Sequence, residues 1–231
     1  MSVKNQFSKY AKEYKNHNII QQIVAKSLVR ELKFQPKRIL ELGCGSGQVY
    51  NHISWDLEFY KAIDFSSSMC ELHPKGENIE VKCFDFDTQE FLDEIKDNSY
   101  DIVLSSSALQ WSKDLSKIIN HLSFITKEIN AVLFTSNTFK TIQKITNTKS
   151  PILDELSIKE AFSKYFTCEF ETIMYKLEFD NKKDLFDYIK KSGVSGGNAS
   201  LDFTDAKKLY KNYDLNYLEF EVIFVKTISR L

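Results

Sequence analysis

The 231-residue chain is poor in the residues that punctuate, staple or catalyse: seven glycines, three prolines, four cysteines, four histidines and three arginines. Cys44, Cys70, Cys83 and Cys168 are scattered, with no CxxC and no histidine pair nearby. That spacing excludes a disulfide framework and a zinc site, and fits reduced thiols in a cytosolic protein. None of His17, His52, His73 and His121 stands in a plausible catalytic pairing. No apolar run approaches the ~18–20 residues of a membrane helix, and the opening MSVKNQFSK is too polar for a signal peptide, so a cytoplasmic location is expected. Charge of one sign is lacking too. Lys and Arg total 31 against 32 acids, a net charge of -1, which argues against a dedicated nucleic-acid binder. One segment departs from that balance: residues 1–36 hold seven bases and two acids, either a solvated helix face or a docking surface for an acidic partner.

What is present is an alternation. Ile19, Ile20, Ile23, Val24, Leu28 and Leu32 recur at helical spacing within residues 5–34, and Pro36 stops that helix. Apolar runs then follow at 38–42 (RILEL), 58–63, 79–84, 100–106 and 130–136, with helices predicted over 47–54, 67–72, 88–96 and 114–126. Strands separated by helices imply βαβ units and a mostly parallel sheet covered on both faces. After Thr135 a polar stretch leads to Pro151, a helix at 157–165, a β-rich run at 168–179, a helix at 183–191 and a closing β-rich run at 217–229. The last two runs read as antiparallel edge strands of the same sheet. The expectation is one α/β domain: residues 1–36 a helical lid, 37–136 a cofactor-binding half, and 137–231 substrate-side helices and edge strands.

Three of the seven glycines crowd into ILELGCGSG, residues 39–47. A glycine turn between a first strand and the next helix presents N–H groups and a positive helix end to an anion. The dinucleotide fingerprint GxGxxG needs a third glycine at position 48, where this chain has Gln48. The pattern is instead Glu41 followed by Gly43, Gly45 and Gly47. Carboxylates then stand at two further strand ends, Asp64 before FSSSM and Asp85 in CFDFD. In open parallel sheets, ligands bind at those strand ends.

This combination resembles the class I S-adenosylmethionine-dependent methyltransferases, Rossmann-like folds with a seven-stranded sheet. The resemblance implies S-adenosylmethionine as cofactor and no metal. It assigns Glu41, Gly43, Cys44, Gly45 and Gly47 to the glycine loop, and Asp64 to the ribose hydroxyls. In a segment like the family's DxSxxM, Phe65 after the acid would lie along the adenine, and Met69 would also bind the cofactor. Asp85 would take the adenine amino group, with Phe86 flanking the ring, and Ser105 and Ser106 would hold the methionine ammonium through backbone carbonyls.

YDIVLSSSALQW (100–111), with Gln110 and Trp111 as candidate acceptor-site residues, resembles two carboxyl O-methyltransferase families. These are the malonyl-acyl-carrier-protein O-methyltransferases of biotin synthesis and the trans-aconitate methyltransferases. FSKYAKEYKNHNIIQ (7–21) and YIKKSGVSGG (188–197) resemble the first. That family implies methylation of the free carboxylate of malonyl-acyl carrier protein or malonyl-CoA, with no nucleic acid or membrane involved. Tyr10 and Tyr14, four apart on one helix face, would close over the site. Two positions depart from the family: TKEIN replaces a Pro-Gly-Gly turn, and Leu218-Glu219-Phe220 replaces Leu-Thr-Tyr. A small free carboxylate such as trans-aconitate as acceptor, and a non-catalytic cofactor-binding protein, stay open as alternatives. Lys190, Lys191, Lys207, Lys208 and Lys211 join the first helix as candidate docking charges.

Overall fold

The computed structural model describes residues 18–191 and 203–230. A seven-stranded sheet has the order β3-β2-β1-β4-β5-β7-β6. Its parallel part comprises β1 (Arg38–Leu42), β2 (Phe59–Asp64), β3 (Ile79–Cys83), β4 (Ile102–Ser106) and β5 (Ile129–Phe134). The long strands β6 (Phe166–Glu178) and β7 (Tyr217–Arg230) complete it. β7 runs antiparallel to both β5 and β6, so the reversed strand lies one place in from the edge.

Eight α-helices are described. α1 (Ile19–Arg30), α2 (Ser67–Leu72), α3 (Gln89–Ile95) and α4 (Leu115–Ile125) accompany the parallel strands. α5 (Lys140–Thr146), α6 (Glu155–Ser163), α7 (Lys182–Lys191) and α8 (Phe203–Asn212) belong to the later part. Consecutive strand residues point to opposite faces, and both faces are covered, which is why the central strands are largely apolar and buried on both. Ile39, Leu104 and Phe134 join Val24 and Leu28 of α1 and Leu185 of α7 in one core. Leu40, Val103 and Leu133 join Phe91 of α3, Ile119 of α4 and Phe162 of α6 in the other.

Several expectations shift on inspection. The helix expected over 5–34 ends at Arg30, and its first part lies outside the described residues. The helix expected at 47–54 is a chain of turns closed by one 3-10 turn, Tyr50–His52. The polar stretch after Thr135 contains α5, bracketed by two left-handed residues, Phe139 (φ 60) and Asn147 (φ 55). α8 was not foreseen, although Leu209 and, just past its end, Tyr213 are buried at the four-residue spacing of a helix face. Asp101 at the start of β4 is a structural pin. One of its carboxylate oxygens accepts the backbone N–H groups of Lys37 and Arg38, at 2.7 and 2.9 Å, and so ties β4 to the entry of β1.

Candidate functional site

A cleft with about 660 Å³ of empty space opens at the C-terminal ends of β1, β2 and β4. The glycine turn forms its floor. A Cβ on Gly43, which sits at φ 73, would stand 2.0 Å from the Cβ of Ala108, so this glycine lets the first turn touch the turn after β4. Gly45 (φ 51) differs: a Cβ there would meet nothing within 4 Å. Its bare backbone faces open space, as close approach of a ligand requires. Gly47 does not line the cleft; a Cβ there would strike Pro74 at 2.5 Å, behind the turn.

Asp64, at the end of β2, is only 7% exposed. Its two carboxylate oxygens accept the backbone N–H groups of Ser66 (2.8 Å) and Gly45 (2.9 Å). Burial outweighs those bonds and pushes its pKa up to about 6, and the charge of Glu41 adds to the rise. Glu41 also lines the cleft and is buried, where Tyr60 donates its hydroxyl to Oε2 at 2.5 Å and His73 Nε2 approaches the same oxygen at 3.8 Å. Burial holds the Tyr60 phenol well above its ordinary pKa, so it stays a donor. Cys44 also lines the cleft; the hydrogen bond its thiol donates to Cys70, burial, and then the charges of Glu41 and Asp64 keep that thiol protonated. It is a wall, not a nucleophile.

Phe65, Met69, Phe86 and Trp111 give the cleft its apolar lining. Ser106 and Ser107 give it hydroxyls. Both hydroxyls are buried without a partner among the described residues, as is that of Ser46 in the glycine turn. Buried polar atoms are ordinarily bonded, so three unspent hydroxyls around one cleft fit a polar ligand. Ser107 is also held in the left-handed region at φ 62, a strained conformation of the kind that clusters at binding sites.

Of the residues expected from sequence, the cleft brings together Glu41, Gly43, Cys44, Gly45, Asp64, Phe65, Met69, Phe86, Ser106 and Trp111. Four others sit elsewhere. Gly47 backs the turn. Ser105 points away and donates its hydroxyl to Leu42 O at 2.8 Å, tying β4 to β1. Gln110 is buried, with Nε2 donating to Ser107 O at 2.8 Å, and so supports the strained turn from behind. Asp85 is exposed at the rim, where Oδ1 accepts the Asp87 N–H and starts the turn into α3. Tyr10, Tyr14 and the first-helix lysines up to Lys15 lie outside the described residues.

Sequence reasoning missed Gln21, Ser46, Gln48, Val49, Ser107 and Ala108. Ser46, Gln48 and Val49 follow from the turn itself. Gln21 arrives from α1, a contact that no local signal announces. At the divergent C-terminal motif, Phe220 is fully buried against Phe134, Phe139 and Tyr188, and Glu219 accepts the Thr141 N–H at 3.0 Å. Both positions serve packing here, away from the cleft.

Comparison with known proteins agrees with this geometry. The family described as "Methyltransferase domain" matches residues 40–131. Malonyl-[acyl-carrier protein] O-methyltransferase of Bacillus cereus is 25% identical over 220 residues, spanning 85% of this chain and 81% of the relative. The protein of that name from Acetivibrio thermocellus is 27% identical over 164 residues, 68% of this chain and 56% of the relative. Among solved structures, YcgJ from Bacillus subtilis aligns over 90% of this chain and 99% of its own, with TM-score 0.66 and 12% identity. A Haemonchus contortus phosphoethanolamine N-methyltransferase, solved with S-adenosylhomocysteine, aligns over 91% of this chain and 53% of its own, with TM-score 0.55 and 16% identity. Residues 40–131 thus match a methyltransferase domain, and the chain is similar along most of its length to the malonyl-carrier-protein O-methyltransferases.

Proposed function

We propose that the protein transfers a methyl group to the free carboxylate of a malonyl thioester, malonyl-carrier protein or malonyl-CoA. The observation that carries this reading is the absence of a free base among the described residues of the cleft. No histidine or lysine lines it, and its two carboxylates, Glu41 and Asp64, are engaged by Tyr60 and by backbone N–H groups. A hydroxyl or ammonium acceptor would need such a base. A malonyl carboxylate, titrating near ~4 when unperturbed, arrives already ionised at neutral pH.

Bound S-adenosylmethionine supplies an electrophilic methyl carbon. The chain's contribution is placement. Asp64 accepts from the ribose hydroxyls, Phe65, Met69 and Phe86 enclose the adenine, and Asp85 at the rim takes its amino group. Ser106 and Ser107 face the amino-acid end. Trp111 closes the acceptor side against water, and Gln110 holds the turn that carries it. Well-placed reactants account for on the order of 7–11 kcal/mol of barrier.

The test offers methyl-labelled donor with malonyl-carrier protein, malonyl-CoA and trans-aconitate in parallel. Label should appear as an ester on a malonyl thioester. Label on trans-aconitate alone would establish the small-acid reading, and donor binding without transfer to any acceptor would leave a non-catalytic binding protein.

A further inference from the structure

A second groove opens at the C-terminal end of β5, and Lys140, Lys144 and Lys149 line it with Asn137, Thr148 and Ser150. All three lysines are exposed, and among the described residues none forms an ion pair with a carboxylate. The one acid in the lining, Asp154, is already committed: its Oδ1 accepts the Ser157 N–H at 2.8 Å at the start of α6. The groove therefore presents three uncompensated positive charges among hydrogen-bonding amides and hydroxyls. α5, which carries Lys140 and Lys144, packs against α8, where Lys207, Lys208 and Lys211 are also exposed. The positive surface thus runs across two adjoining helices.

Its position relative to the cleft is set by the sheet. β1, β4 and β5 are successive parallel neighbours, and Ser107 at the cleft donates its N–H to Val132 of β5 at 2.8 Å. Strands lie about 4.8 Å apart, so the end of β5 stands roughly 10 Å from the end of β1, at the same C-terminal end of the sheet. An anion held in the groove can keep a flexible arm reaching into the cleft.

We propose that this groove and the adjoining α8 lysines dock an anionic carrier protein, seating the phosphodiester of its prosthetic arm among Lys140, Lys144 and Lys149. The proposal rests on the malonyl-thioester reading and commits it to the carrier protein rather than to free malonyl-CoA. The hydroxyls and amides match phosphate oxygens, the lysines supply charge, and the acidic protein surface extends over α8. Charge of this kind acts on encounter and orientation, and weakens with salt.

The experiment reverses the three groove lysines (Lys140→Glu, Lys144→Glu, Lys149→Glu) and measures direct binding of unloaded, arm-bearing carrier protein. Binding should weaken about tenfold or more, and its salt dependence should shrink to what the α8 lysines sustain. Affinity for S-adenosylmethionine and kcat/KM for malonyl-N-acetylcysteamine, which has no phosphate, should stay at wild-type values. Carrier affinity within twofold of wild type overturns the proposal, as does equal impairment with the small thioester. Equal losses for coenzyme A and the carrier protein would overturn the commitment to a protein partner. If the wild type binds the carrier through the groove but never methylates its malonyl form, the docking surface stands and the proposed reaction fails. If methylation proceeds equally in wild type and variant, the reverse holds.

Discussion

The N–H of Gly45 donates to the carboxylate of Asp64 at 2.9 Å, joining the glycine turn after β1 to the end of β2 across the floor of the cleft. Neither residue would serve alone. The turn keeps its shape because the carboxylate anchors it, and the carboxylate is held in the cleft, buried, because the turn and Ser66 bond to it.

That burial predicts a pH dependence of cofactor binding. The carboxylate of Asp64 titrates near 6, and only its ionised form offers both oxygens to ribose hydroxyls. Affinity for S-adenosylmethionine should be constant above about pH 7 and fall about tenfold per unit as pH drops well below 6. Calorimetry near pH 6 should show proton release on binding. Asp64→Asn should bind weakly at every pH, about 1.5–3 kcal/mol worse at neutral pH, and a pH-independent wild-type affinity would contradict the assignment.

Stability of the ligand-free protein should move the other way. A folded-state pKa above the unfolded value of about 3.8 means that ionising Asp64 costs stability, and the cost grows as pH rises from about 4 through 6. Two units amount to about 3 kcal/mol at most. In urea unfolding, Asp64→Asn should therefore gain on wild type as pH rises across that window and run parallel to it above. Curves parallel throughout would show that the group does not titrate there.

Gly43 and Gly45 should separate packing from approach. Gly43→Ala drives a Cβ to 2.0 Å from that of Ala108, and should cost about 3 kcal/mol or more, partly recovered by Ala108→Gly. Gly45→Ala meets no neighbour, so its stability loss should stay near the ~1–2 kcal/mol of left-handed strain, while cofactor affinity falls further. Thermal melts and calorimetry on the three variants check this.

The two serines ending β4 should behave oppositely. Ser105→Ala removes the bond to Leu42 O and should lower stability by about 1 kcal/mol with little change in cofactor affinity. Ser106→Ala removes a hydroxyl with no partner among the described residues, and should leave stability unchanged while weakening the cofactor. The opposite pattern would exchange their roles.

The pair also shows where sequence reading stops. A glycine turn followed by carboxylates at strand ends is legible because each feature depends on a few adjacent residues and on the parallel order of the strands. Ser105 and Ser106 differ by one position, and which of them faces the cleft depends on the phase of β4 against its neighbours. Asp85 carries the right type at the right spacing, yet a local bond to the Asp87 N–H claims one oxygen and leaves the residue at the rim. Ser107 and Gln110 matter through a left-handed turn that no periodicity encodes. The strand runs were clear because apolar stretches of five or six residues have few other uses. The short helix α5 was hidden in a polar segment, framed by left-handed Phe139 and Asn147.

The most direct test of a base-free methyl transfer to an ionised carboxylate is the single-turnover rate at saturating donor and malonyl thioester, measured from about pH 6.5 to 8.5. Saturation removes the contribution of Asp64 to binding, so what remains is the chemical step. The rate should be flat over that range. A limb with a midpoint near 7, abolished by replacing one titratable side chain, would show that the acceptor arrives protonated and would contradict the account.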